Sequence, residues 1–196
     1  MRIVIVGLLG AVLLLTGMVS AALAQREEVR PPRLKLASTA FRDAGPLPLA
    51  YTCYAEGGNA VSPPLQWSFA PEDTASFTVM VVAPDNHQGG SLTQAFFWVR
   101  WNIPASTTAL PQNVPLGAEL PDGSRQVEGR GFVGYRAPCA PPGVGALHYQ
   151  FKLYALDQML TLPANATRED VLNAIDGHIV GASSYYGTIE RSADGQ

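Results

Sequence analysis

The fold class that the sequence predicts is mainly β, an antiparallel β-sandwich with one peripheral helix close to the C-terminus. Three observations lead there. Apolar, β-branched and aromatic runs recur at irregular intervals through the middle of the chain, as buried strands require. Residues 104–145 are rich in glycine and proline and leave no room for long regular elements. One amphipathic segment with a helix-start signature follows late, after Thr167.

The N-terminal segment has to be set apart from the fold. Met1-Arg2 gives a positive start, residues 3–19 are almost wholly apolar, and Ala22-Leu23-Ala24 offers a small-x-small cleavage site. Residues 1–24 therefore read as a secretory signal peptide. The rival reading is an uncleaved anchor, since roughly 20 apolar residues span a bilayer. The first cysteine is Cys53, so a lipid anchor directly after the apolar run has no attachment point. Residues 25–38, with paired prolines and mixed charges, read as a flexible lead-in to one domain over 39–192.

Within that domain, the run 76–82 is β-branched and apolar and stops before Pro84, which predicts a buried strand. The run 95–101 is too aromatic for an exposed helix and stops at Asn102-Ile103-Pro104. The run 147–156 alternates, with Leu147, Tyr149, Phe151 and Leu153 on one face and His148, Gln150 and Lys152 on the other. Such alternation predicts a half-buried strand. Between the second and third runs, seven prolines from Pro104 to Pro142 interrupt the backbone. The helix starts at Thr167, which can cap the Asp170 amide while Asp170 reaches back. Val171, Leu172, Ile175 and Ile179 then lie along one side, with Gly177 and Gly181 as points of breakage or kinking. Asn165-Ala166-Thr167 also matches a glycosylation sequon, although Thr167 already serves the cap.

Composition narrows the function classes. Without Arg2 the chain has twelve basic residues against sixteen acidic ones, a formal charge of −4. No basic patch suited to nucleic acid is visible. The three histidines, His87, His148 and His178, share no metal-ligand spacing with acids or cysteines, so no metal or cofactor is expected. Gly89-Gly90-Ser91 reads as a turn, and no nucleophile elbow or phosphate-binding glycine loop occurs. No catalytic residue is assigned, and the chain reads as a non-enzyme. The two cysteines, Cys53 and Cys139, are a candidate disulfide for an exported protein. Two separate buried thiols are the alternative.

Several motifs stand in one order: Tyr51-Thr52-Cys53, Ser62-Pro63-Pro64-Leu65-Gln66-Trp67, Pro84-Asp85, Trp98 with Asn102-Ile103-Pro104, Gly134-Tyr135, Pro138-Cys139, and Tyr154-Ala155-Leu156-Asp157. In this the chain resembles the phosphatidylethanolamine-binding proteins, in particular their bacterial, Raf kinase inhibitor-like branch, from about Ala40 to Arg191. The resemblance implies a large and a small β-sheet with a small ligand pocket at one end. It also implies a phosphoryl-binding pocket lined by the first Asp of an Asp-Pro-Asp motif, a His before an aromatic strand, and a His-Arg-Tyr strand.

Mapped onto this chain, those ligands are largely replaced. Ala83 takes the place of the first Asp and leaves Asp85, Phe97 takes the place of the strand His, and Leu147 takes the place of the third ligand. His148 then stands at the arginine position and Tyr149 keeps the tyrosine. A one-residue slip would bring His148 into the ligand position, but it would also turn Leu147, Phe151 and Leu153 out to solvent unless a bulge lies near Gly145-Ala146. A desolvated phosphate needs fixed donors, each worth about 1.5 to 3 kcal/mol. The expected ligand is a less charged small molecule, held by Ala83, Phe97, Leu147 and Tyr149 with Asp85 at the rim; a lipid headgroup is the retained-family alternative. The bland readings are a turn role for Asp85, a core role for Tyr149, a solvated loop position for His87 and a helix end for His178.

The sequence thus supports a periplasmic or secreted binding protein without stable membrane insertion after signal cleavage. The competing reading is a protein-interaction module or inhibitor, acting through the loop 104–145 on a protease or another envelope partner.

Overall fold

The computed structural model describes residues 33–85, 95–129 and 132–194. The signal peptide, His87 and the Gly89-Gly90-Ser91 turn lie outside the described residues. The strands in chain order are β1 (Lys35–Ala37), β2 (Gly45–Pro46), β3 (Leu65–Ser68), β4 (Ser76–Ala83), β5 (Ala95–Pro104), β6 (Ala109–Leu110), β7 (Arg125–Gln126), β8 (Glu128–Gly129), β9 (Phe132–Val133) and β10 (Leu147–Leu156). Helix α1 (Arg168–Ile175) and strand β11 (Ile179–Ile189) follow. A six-stranded sheet has the order β2-β11-β10-β4-β5-β7, and a three-stranded sheet has the order β1-β3-β6. The predicted sandwich of one large and one small sheet is what forms.

Strand β4 is buried at every position, which explains its nearly unbroken apolar run. Phe77, Val79, Val81 and Ala83 belong to the core shared with Leu36, Leu65 and Trp67 of the small sheet. Met80 belongs to a second core with Val171 and Ile175 of α1. Its neighbour β10 alternates as the sequence predicts, with Tyr149, Phe151 and Leu153 buried and His148 exposed.

Strand β5 reaches both cores by breaking its own alternation. Opposite β4 the register runs Phe77 with Ile103, then Val79 with Arg100, so Trp101 and Asn102 together face the single residue Thr78. Asn102 takes up this bulge with a positive φ of 56°. Trp101 consequently lies in the helix-side core, while Ile103 returns to the core between the sheets. A second irregularity pairs Val81 with Trp98 and Val82 with Phe96, leaving Phe97 as the extra residue.

Two expectations are corrected. The lead-in of 25–38 is not flexible throughout, because Lys35–Ala37 is strand β1 and both Leu34 and Leu36 are buried. Hydrophobic contact with the small sheet outweighs the charged, proline-rich composition just before it. The helix does form its capping box, with Thr167 accepting from the Asp170 amide and Asp170 accepting from the Thr167 amide. It ends at Ile175, however, rather than running on to Ile179. Gly177, at a φ of 80°, turns the chain, and residues 179–189 pair with β10 as β11. The strand escapes a pattern reading because Gly181, Ser183, Ser184 and Gly187 interrupt its apolar residues. Space demands the last of these: a Cβ on Gly187 would stand 2.5 Å from Leu47 side-chain carbons.

Asn102 also ties β5 to the segment before α1. Its Nδ2 donates to the Leu160 carbonyl at 2.9 Å and its Oδ1 accepts from the Leu160 amide at 2.7 Å. Replacement by alanine removes both bonds from a buried site and keeps the left-handed strain, so Asn102→Ala should lose about 3 kcal/mol of stability. Asn102→Gly, which accepts the conformation, should lose about 1 kcal/mol less. Thermal unfolding checks this, at about 2 to 4 °C per kcal/mol for a domain of this size.

Candidate functional site

At the Ala83 end of β4, the starts of β5 and β10 come together, with Ala83 opposite Ala95 and Val82 opposite both Phe96 and Gln150. Beside them lies a cavity of about 580 Å³. Its walls are Tyr54, Asp85, Leu147, the Cys53–Cys139 pair, and the short segment bearing Pro141, Pro142 and Val144. The two cysteines are disulfide-bonded, with Cα atoms 5.4 Å apart. Of the two readings of these cysteines, the structure therefore gives the bridge.

The six residues singled out from the sequence gather at this place in different roles. Leu147 and Asp85 line the cavity. No register shift falls at the start of β10, since Leu147 pairs with Ile189 and Tyr149 with Gly187 in unbroken succession. His148 accordingly faces out of the sheet. It nevertheless reaches Asp85, whose Oδ2 accepts the His148 amide at 2.8 Å and stands 2.7 Å from its Nδ1. Tyr149 is fully buried, and its hydroxyl donates to the Cys139 carbonyl. Phe97, re-aimed by the second bulge, packs edge-to-face on Tyr149 with ring centroids 5.3 Å apart. Ala83 is buried in the core. Ala83 and Tyr149 are thus buried and Phe97 is half-buried, and none of the three is among the residues that line this cavity.

Burial, and then the neighbouring Tyr54 and Asp85, push the Tyr149 hydroxyl up to about 12. Deeper in the core, burial raises Tyr135 further still.

The sequence reading missed Tyr54. Its hydroxyl donates to the Ala140 carbonyl and accepts from the Ala140 amide, at 3.1 Å for the latter bond. The Arg191 guanidinium carbon stands 4.5 Å from the centre of its ring. Tyr54 also forms part of a second cavity, of about 380 Å³, in which Arg191 and Leu49 take part. The one signal available was its place directly after Cys53 in a shared motif. His178, expected at a helix end, lies in the turn before β11 with its Nδ1 2.9 Å from Asp157. Among the described residues, no three His, Cys, Asp or Glu side chains gather in a way that could hold a metal ion. Nor is any described helix long and apolar enough to cross a membrane.

Comparison with known proteins follows from this geometry. The family model of phosphatidylethanolamine-binding protein matches residues 37–190. A UPF0098 protein of Methanothermobacter thermautotrophicus is 40% identical over 162 residues, which is 81% of this chain and 99% of the relative. A protein of Mycobacterium tuberculosis named as a lipoprotein, LppC, is 34% identical over 163 residues, covering 80% of this chain and 72% of its own. Among solved structures, the phosphatidylethanolamine-binding protein homologue CT736 of Chlamydia trachomatis superposes with a TM-score of 0.70 at 29% identity, covering 82% of this chain and 99% of its own.

Two expectations arise from the site itself. The bridge spans 86 residues of sequence, so Cys53→Ala with Cys139→Ala should lower stability by about 4 to 5 kcal/mol on the chain-entropy account. A thiol count after denaturation without reductant should find none in the parent chain. The raised Tyr149 hydroxyl favours the neutral phenol in the folded state. Its contribution is complete below the unfolded value of about 10 and is lost as pH rises through the folded value. Tyr149→Phe should therefore lose less stability than the parent between about pH 10 and 12, as followed by denaturant unfolding at stepped pH.

Proposed function

From the premise that this chain belongs to the phosphatidylethanolamine-binding protein family, we propose that it is a non-catalytic binding protein whose cavity does not take phosphate. The observation that carries this is the direction of two hydroxyl protons, one on Tyr54 in the cavity wall and one on the buried Tyr149. Tyr54 donates to the Ala140 carbonyl and Tyr149 to the Cys139 carbonyl. Both donors are therefore committed to backbone. At the position where the resemblance implies a ligating histidine, Leu147 presents carbon to the cavity.

An anion that leaves water must recover its hydrogen bonds from fixed donors. Here the wall offers a carboxylate, proline rings and aliphatic carbons in their place. The non-catalytic part of the reading is supported by the arrangement of Asp85 and His148. The one oxygen, Oδ2, is shared between the His148 amide and ring, and that ring stands on the outward face of β10. Placement outside the cytoplasm is supported by the disulfide, which oxidising compartments maintain, and by the lipoprotein name of one relative.

Thermal unfolding of the full chain in millimolar phosphate and in phosphoethanolamine tests this reading. The expected result is no shift. A chain carrying Phe97→His and Leu147→His should gain one, since saturation near 100 times Kd adds about 2.7 kcal/mol. A rise of several degrees in the parent chain would overturn the reading.

A further inference from the structure

The large sheet ends differently on its two sides. On the β7 side the outermost strand is two residues long and includes Arg125. Next to it the amides of Val127 and Arg136 bond the Val99 and Phe97 carbonyls of β5, so loop backbone covers much of that edge. On the other side the last long strand is β11, and β2 pairs with it only at Gly187 and Thr188.

Along β11 the backbone groups alternate in direction. The carbonyls of Tyr186 and Thr188 accept from the Ala44 and Leu47 amides at 2.9 and 2.8 Å, so the even-numbered residues face away from β10. Asp43 accepts the Tyr186 amide. By the same alternation Ala182 and Ser184 point their amides and carbonyls outward, and among the described residues nothing bonds these groups. Both residues are exposed. The small sheet meets this stretch through a side chain, the Ser183 hydroxyl, which accepts the Leu36 amide at 2.9 Å. A bulge bounds the stretch at its start, since Leu156 pairs with Ile179 and Ala155 with Gly181, leaving Val180 as an extra residue. The open edge is therefore 181–185.

Strand edges that stay in water are usually defended by charged side chains or proline. Residues 179–189 contain no Lys, Arg, Asp, Glu or Pro, and Ile179 is 43% exposed. Symmetry selects the occupant. In a two-fold pair every side chain near the axis meets its own copy, so a charge there would repel itself. Gly181, Ala182, Ser183 and Ser184 are uncharged and small, and let a second backbone approach.

We infer that this edge takes a second copy of the chain, whose own 181–185 stretch runs antiparallel across a two-fold axis at Ser183. Ala182 then stands opposite the partner's Ser184, and Ser184 opposite the partner's Ala182. Each pair exchanges two N–H···O bonds, as directly opposed antiparallel residues do. The patch is thus complementary to itself, which an isologous interface requires. So short a seam buries less than the roughly 1,200 Å² of stable complexes, and the dimer forms at high concentration. This surface is independent of the cavity and of its ligand.

Sedimentation equilibrium of the full chain, up to about 1 mM, should show dimers with a dissociation constant on the order of 100 μM. Amide exchange with water, followed by NMR over the same range, locates the seam. Exchange at Ala182 and Ser184 should slow about three-fold or more with concentration, while the Ser183 and Tyr185 amides, paired with β10, stay slow throughout. Ala182→Pro deletes an outward donor without costing a bond inside the chain, and should abolish the dimer. Ser184→Glu places a carboxylate beside Lys152, its partner in β10, and should weaken the dimer about ten-fold through repulsion at the axis. Slow exchange at Ser183 and Tyr185 verifies the fold of each variant. A monomer at every concentration would overturn the inference, as would association that leaves the Ala182 and Ser184 amides fast or that both variants retain. Protection of those two amides at every concentration would also overturn it, since the edge would then be covered within one copy.

Discussion

The ladder between β4 and β5 governs much of this structure. Strand β4 is buried on both faces, with Phe77, Val79, Val81 and Ala83 in one core and Met80 in the other, and the strand has no solvent face to absorb an error. Its neighbour β5 cannot serve both cores with strict alternation, because its aromatic residues would then fall on the wrong sides. Two extra residues in β5 resolve the conflict. One, at Asn102, needs a left-handed backbone and a side chain that binds Leu160 from both directions. The other, at Phe97, turns a ring toward Tyr149.

Tyr149 packs against Phe97 through its ring, and its hydroxyl donates to the Cys139 carbonyl. Tyr54 is committed in the same way to Ala140. Both carbonyls belong to the segment that the disulfide ties to Cys53, so the wall is held by a covalent bond and two phenols together.

Much of this was legible in the sequence where local pattern and burial agree. The runs at β4 and β10 announced themselves by continuous and alternating apolarity, and the Thr167-to-Asp170 capping box by its spacing. Strand β11 was not legible, because small residues fill it where Leu47 and other neighbours approach closely. Nor was β1, whose apolar residues follow a stretch of prolines and charges. At the site, the places of Leu147, His148 and Asp85 could be read from motif order. Which side chains reach the cavity could not, since that depends on a bulge at Phe97 that no residue type signals. The commitment of the two phenols to backbone carbonyls is likewise a matter of three-dimensional approach.

The bond between Cys53 and Cys139 encloses more than the pocket wall. The chain between them includes β3 through β9, while β10, α1 and β11 lie beyond it. In covalent terms the protein is a ring with an N-terminal arm that carries β1 and β2 and a C-terminal arm that docks as a hairpin on the edge of β4. A single cut by a protease anywhere within the ring, including the long proline-rich loops, leaves both fragments tethered. The loops within the ring can in this way be nicked once without the molecule coming apart.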